Sequence, residues 1–98
     1  MEKVLSVVIP SYNVEKYLDR CLSSFVNAEV LRDIEILIIN DGSTDKTSEI
    51  AEKYCRKYPS SFTLYNKENG GHGSGINYGI EHATGKYFKV VDGDDWVE

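Results

Sequence analysis

Residues 4–13 read VLSVVIPSYN. From Val4 to Ile9 the run is apolar at odd and even positions alike, broken only by Ser6, and rich in β-branched residues. That is the signature of a short strand buried on both faces, as in a parallel sheet, rather than of a strand with one wet face. Pro10 is expected to end it. Directly afterwards the period changes: Val14, Tyr17, Leu18, Cys21, Leu22 and Phe25 recur at helical spacing, and Asn13 stands where an N-cap is wanted. A buried strand turning at once into an amphipathic helix is the opening of a β-α-β unit.

The same alternation continues to the end of the chain. Ile36–Ile39 reads as a second buried strand, and NDGSTD turns it into a second helix with Thr47, Ile50, Ala51, Tyr54, Cys55 and Tyr58 on one face, stopped by Pro59. Ser43, Thr44 or Asp45 can cap that helix. Phe62–Tyr65 gives a weaker third strand. The segment ENGGHGSG leads into a third helix carrying Ile76, Gly79, Ile80 and Ala83 on one side, with Gly85 at its C′ position. Tyr87–Val91 is the fourth strand, read as buried. The expected fold class is therefore α/β, a Rossmann-like parallel β-α-β-α-β-α-β sheet in a single domain, residues 1–98. Crossover connections bring every strand-to-helix loop to one sheet edge, where open α/β folds bind ligands beside the point at which strand order reverses.

Composition narrows the partners. With a formal net charge of −5 and a pI near 5.0, the domain lacks the clustered Lys and Arg that a nucleic-acid backbone requires, so no nucleic-acid partner is expected. Cys21 and Cys55 sit at apolar helix positions without C-x-x-C spacing, which reads as reduced, buried thiols. The apolar run of the first strand is too short for a signal h-region or a membrane span, and a cytoplasmic protein is the expectation.

The four loops at the carboxyl edge are PSYN, NDGSTD, NKENGGHGSG and DGDDW. Asp41, Asp92, Asp94 and Asp95 converge there, and converging carboxylates repel unless a cation lies between them. Hard divalent ions, Mg²⁺ or Mn²⁺, take carboxylate oxygens together with water and substrate phosphates. Asp41 closes the second strand, where its carboxylate can accept a hydrogen bond from a ligand N–H such as the edge of uracil or guanine, although Asp-Gly is also ordinary turn chemistry. Tyr12 offers a ring face to a planar base or packs at the sheet rim. The glycines around Gly71 let backbone approach a ligand, and His72 can donate to a phosphate or a sugar hydroxyl, or be merely solvated. Neither a dinucleotide G-x-G-x-x-G after the first strand nor a G-x-x-x-x-G-K-[ST] loop is present.

Taken together, SVVIPSYNVEKYLDRCLSS, EILIINDGSTDKT, NGGHGSGINYGIEHATGKY and VVDGDDW resemble the amino-terminal, nucleotide-binding half of a family 2 glycosyltransferase of the GT-A fold, from about Val4 to Trp96. The resemblance implies a nucleotide-sugar donor site, commonly for a UDP-sugar, with donor contacts at Pro10, Tyr12, Asp41, Gly71, His72, Asn77, Asp92 and Asp94. It implies base stacking at Tyr12, a base N–H at Asp41, ribose at Asp94, and a Mg²⁺ or Mn²⁺ ion carrying the diphosphate at Asp94 and Asp95. Two departures stand out. Asn40 replaces the first of two aspartates, and Gly75-Ile76 replace the Ala-Arg that precedes the position of Asn77, so any contact from that arginine is absent.

The resemblance further implies sugar transfer with inversion to a glycan or glycolipid hydroxyl, in bacterial polysaccharide synthesis at the inner face of the membrane. The family's catalytic base lies downstream of the matched segment, so the chain reads as a truncated donor-binding portion, inactive alone and prone to self-association. A non-catalytic metal-dependent nucleotide-binding module and a nucleotidyltransferase are the alternatives. A phosphoacceptor receiver domain is disfavoured, because the acidic pair it needs after the first strand is here Ser11-Tyr12-Asn13.

Overall fold

A computed structural model describes residues 4–26, 33–70 and 72–91, with His72 described by its backbone alone. The chain runs β1 (Leu5–Ser11), α1 (Glu15–Val26), β2 (Ile34–Asp41), α2 (Thr47–Lys57), β3 (Phe62–Lys67), α3 (His72–His82) and β4 (Tyr87–Val90). The strands form one parallel sheet in the order β3-β2-β1-β4. From β1 the chain steps outward to β2 and β3, then crosses back over the sheet to place β4 on the far side of β1. The strand order therefore reverses between β1 and β4.

Alternation along the strands divides the core in two. Val7, Ile9, Ile36 and Ile38 face α1 and α2, packing with Leu18, Cys21, Leu22, Phe25, Ala51 and Phe62. Val8, Leu37 and Ile39 face the other way, toward Tyr78 of α3 and Ala83 just past its end. Both faces of β1 and β2 are thus covered, which is why their sequences read as nearly continuous apolar runs.

α3 lies close to the sheet because two glycines, one helical turn apart, are turned toward it. A Cβ at Gly75 would touch Pro10 Cβ at 3.4 Å, and one at Gly79 would run into the methyl groups of Val8. The buried face of α3 is accordingly Gly75 and Gly79, while Ile80, expected on that face, is exposed.

Several boundaries differ from the expectations. Pro10 lies inside β1 instead of ending it, and pairs in register with Ile39. Val4 and Val8 turn their carbonyls toward β4, accepting from Tyr87 and Val91, so Pro10 faces the same side. Having no N–H, it cannot extend that ladder, and β1–β4 pairing stops at Val8–Val90. Among the described residues β4 is an edge strand and is not buried: Tyr87 and Phe88 are 61% and 49% exposed. Gly85 is beyond the C′ position of α3, which ends at His82, and is required by close approach instead. A Cβ there would meet the Ser6 backbone nitrogen at 2.7 Å. Cys21 and Cys55 are both free thiols, the first buried and the second half-buried.

Candidate functional site

The carboxyl edge of the sheet is organised by the loop after β2. Asp45 Oδ1 accepts from the Thr47 backbone N–H at 3.0 Å and from the Thr47 hydroxyl, which begins α2. The other oxygen, Oδ2, accepts from Glu15 N–H at 3.2 Å, and Thr47 Oγ1 accepts from Val14 N–H at 2.9 Å. Both groups belong to the start of α1. One aspartate and one threonine thus satisfy orphan N–H groups of two helices. Partial burial pushes the Asp45 carboxyl up, but the hydrogen bonds from Thr47 and Glu15 outweigh it and hold the group below its ordinary value.

Asn13 does not cap α1, contrary to expectation. It sits in the left-handed region at φ 52°, a conformation asparagine tolerates. Its side-chain oxygen accepts from Thr44 N–H at 2.8 Å, and its own N–H donates to Ser43 Oγ at 3.0 Å. The loops after β1 and β2 are therefore laced together, and Tyr12 projects from the laced segment with 51% of its surface exposed.

The loop after β3 is tied to the same centre. Asp41, the last residue of β2 and buried, accepts at Oδ1 from Lys67 Nζ at 2.7 Å and from Gly70 N–H at 2.9 Å. Lys67 also donates to the carbonyl of Glu68 at 2.7 Å. Beneath the pair, Asn40 Nδ2 donates to Asn66 Oδ1 at 2.8 Å, while Asn40 Oδ1 accepts from Ser43 N–H at 3.2 Å. An amide supplies donor and acceptor at once, which an aspartate at position 40 would not. Gly42, at φ 72°, faces the Asn69 backbone at 2.8 Å from its would-be Cβ, so the second and third loops pack without a side chain between them.

Tyr12, Pro10 and Asp41 are thus brought to one edge, with Pro10 under the first turn of α3. His72 is the first residue of α3 and not part of an irregular glycine loop. Asn77 stands apart: two residues beyond Gly75, it is turned about 200° round the helix from the face that meets Pro10, and it is exposed. Gly71, Asp92, Asp94 and Asp95 lie outside the described residues. Among the described residues no group of three His, Cys, Asp or Glu side chains forms a cation site. Lys67 is the residue that pattern reading passed over, since a lysine ending an edge strand carries no motif.

A surface cavity of about 220 Å³ lined by Ser23, Val26, Lys53, Tyr54, Lys57 and Tyr58 lies between the C-terminal halves of α1 and α2. Helices in this fold run against the strands, so it opens at the opposite end of the sheet from the loops. Near that end Glu35 accepts from Ser6 Oγ at 2.6 Å and from Thr84 N–H at 2.9 Å, joining β2 to the turn before β4. Its partial burial favours the neutral acid, but those hydrogen bonds prevail and lower its pKa.

The sequence pattern of glycosyl transferase family 2 matches residues 6–98. The chain belongs to that family. It is 40% identical over 93 residues to the minor teichoic acid biosynthesis protein GgaB of Bacillus subtilis, covering 94% of this chain and 10% of GgaB. It is 40% identical over 97 residues to the uncharacterized glycosyltransferase EpsJ of the same organism, covering 99% of this chain and 28% of EpsJ. Among solved structures it resembles residues 1–349 of Staphylococcus aureus TarS in complex with UDP-GlcNAc, at a TM-score of 0.89 and 32% identity over 97% of this chain and 28% of that one. The mannosyltransferase PcManGT of Pyrobaculum calidifontis, in complex with GDP-Man and Mn²⁺, shares the fold at a TM-score of 0.87 and 24% identity, over 98% of this chain and 29% of its own. The chain therefore spans less than a third of each of these proteins.

Proposed function

We propose that this chain binds the nucleotide of a sugar donor, a UDP-sugar, for inverting transfer of the sugar to a hydroxyl of a glycan or glycolipid. The observation that carries the reading is buried Asp41, gripped by Lys67 and Gly70 of the third loop, at the same sheet edge as the exposed ring of Tyr12, where strand order reverses. The likeness to TarS, solved with UDP and with UDP-GlcNAc at 30% and 32% identity, supports the uridine assignment. The kinship to GgaB supports a bacterial surface polymer as the product.

In this reading Tyr12 stacks on the base and the Asp41 carboxylate orders its N–H. The reaction is an in-line displacement at the sugar's anomeric carbon, with the nucleoside diphosphate leaving. Asp94 and Asp95, whose carboxylates are hard donors, would hold Mg²⁺ or Mn²⁺, which offsets charge on the diphosphate when bound. Asp92 and Asp94 are assigned to the ribose, and Gly71 and His72 to the phosphate side. The base that accepts the acceptor's proton is assigned to none of these residues. Two free thiols suit a reducing compartment, and we place the reaction on the cytoplasmic side.

Calorimetric titration of UDP and GDP with and without Mn²⁺ tests the reading. Metal-dependent binding of UDP is expected, lost in an Asp94→Ala, Asp95→Ala double variant and weakened by Tyr12→Ala by about 1–3 kcal/mol, the contribution of one stacked base. Absence of nucleotide binding, or binding untouched by both changes, would overturn it.

A further inference from the structure

Lys67 does more here than balance a charge. Its ammonium lies 2.7 Å from Asp41 Oδ1 and 2.7 Å from the Glu68 carbonyl oxygen, and the lysine side chain keeps 15% exposure where that of Asp41 keeps 6%. An ammonium has three N–H donors, and two carry these contacts. The glycyl N–H of Gly70 reaches the same carboxylate oxygen from the following loop, so neither partner can swing away without breaking a second contact. The result is a fixed acceptor and a fixed donor side by side at the sheet edge next to Tyr12.

We propose that Lys67 is a specificity-determining residue: with Asp41 it forms an acceptor–donor pair that reads the adjacent N–H and C=O groups of a lactam base. Uracil presents that pair at N3–H and C4=O, guanine at N1–H and C6=O. Cytosine and adenine present the reverse, a bare ring nitrogen beside an amino group, and would set acceptor against acceptor and donor against donor. A site of hydrogen-bonding groups held in place rejects the mismatched ligand strongly, because its own polar atoms are left unpaired. The inference rests on the nucleotide reading above but adds a residue and a selection rule to it.

The test compares Lys67→Met and Lys67→Arg with the unaltered full chain by calorimetry in Mn²⁺. The ligands are UDP and 4-thio-UDP, GDP and 6-thio-GDP, and 3-methyl-UDP. The thio analogues weaken the acceptor that Lys67 is argued to address, and the methyl analogue removes the N–H addressed by Asp41. The nucleotide that binds names the base. The unaltered chain should prefer the oxo form over its thio analogue about fivefold or more, the scale of one charge-assisted hydrogen bond. Lys67→Met should bind about tenfold more weakly and lose that preference, and Lys67→Arg should retain it.

A lysine that merely held the third loop would lower affinity for both forms alike. An oxo-to-thio preference unchanged in Lys67→Met therefore overturns the assignment. Should that variant fail to fold, the unaltered chain decides by itself: equal affinity for the two forms sinks the proposal. Unweakened binding of 3-methyl-UDP would instead overturn the role of Asp41, a failure of the underlying reading that the thio comparison does not share.

Discussion

Replacing Asp45 by alanine should destabilise the domain far more than a partly exposed loop position would ordinarily allow. The carboxylate holds one N–H at the start of α2 and one at the start of α1, and it also accepts from the Thr47 hydroxyl. Loss of a helix cap costs about 0.5–2 kcal/mol. Two helices are affected while Thr47 still accepts from Val14, so the expected loss is about 2 kcal/mol. In a domain of this size that lowers Tm by about 8–16 °C. Asp45→Asn separates the contributions, because an amide keeps one acceptor for Thr47 but turns a donor toward the Glu15 N–H. It should fall roughly midway between wild type and alanine.

Acid supplies a second arm. The folded pKa of Asp45 is lowered, so its stabilisation is complete above the ordinary carboxylate value and disappears as pH falls through the folded one. The Tm gap between wild type and Asp45→Asn should be widest near neutral pH and close at strongly acidic pH. Circular dichroism melts over that range provide the measurement. A gap under about 0.5 kcal/mol at neutral pH, the ordinary range for surface substitutions, would refute the shared-cap argument.

Two further changes probe the frame around the site. Gly79→Ala adds a methyl against Val8 and should cost about 1–3 kcal/mol through overpacking, read as a lowered urea midpoint with m unchanged; an unaltered midpoint would show that α3 can lift off the sheet freely. Tyr54 donates to Asp19 Oδ1 at 2.7 Å and to the Asp19 carbonyl at 3.1 Å, and burial, reinforced by that hydrogen bond and the neighbouring charge, pushes its phenol up to about 12. Its stabilisation is complete below the ordinary tyrosine value and lost as pH rises through about 12, so Tyr54→Phe should melt lower than wild type at mildly alkaline pH, with the difference narrowing in strong alkali.

How far the sequence spoke depended on the range of the interaction. Strands β1 and β2 were legible because both their faces are buried, and that needs only a run of apolar residues. β4 misled for the opposite reason. YFKV has strand composition, yet a strand's exposure depends on what lies beside it, and Tyr87 and Phe88 face outward. The capping role expected of Asn13 rests on the nearest helix, whereas its actual partner, Thr44, is 31 positions away. Ser6 and Gly85, 79 positions apart, meet in the same fashion.

The candidate site divides along the same line. Tyr12 and Asp41 were legible as chemistry at strand ends, since topology alone brings strand ends together. Lys67 was not, because its meaning lies wholly in the carboxylate it meets across 26 positions. The consequence concerns Asp41 itself. Its sequence context suggests a carboxylate waiting for a ligand N–H; in the fold it is already the hub on which the second and third loops close. In the proposed function a nucleotide base would thus meet a carboxylate whose position is set beforehand by Lys67 and Gly70. Preorganisation of that kind lowers the ordering cost of binding and lets a small edge of polar atoms discriminate between bases.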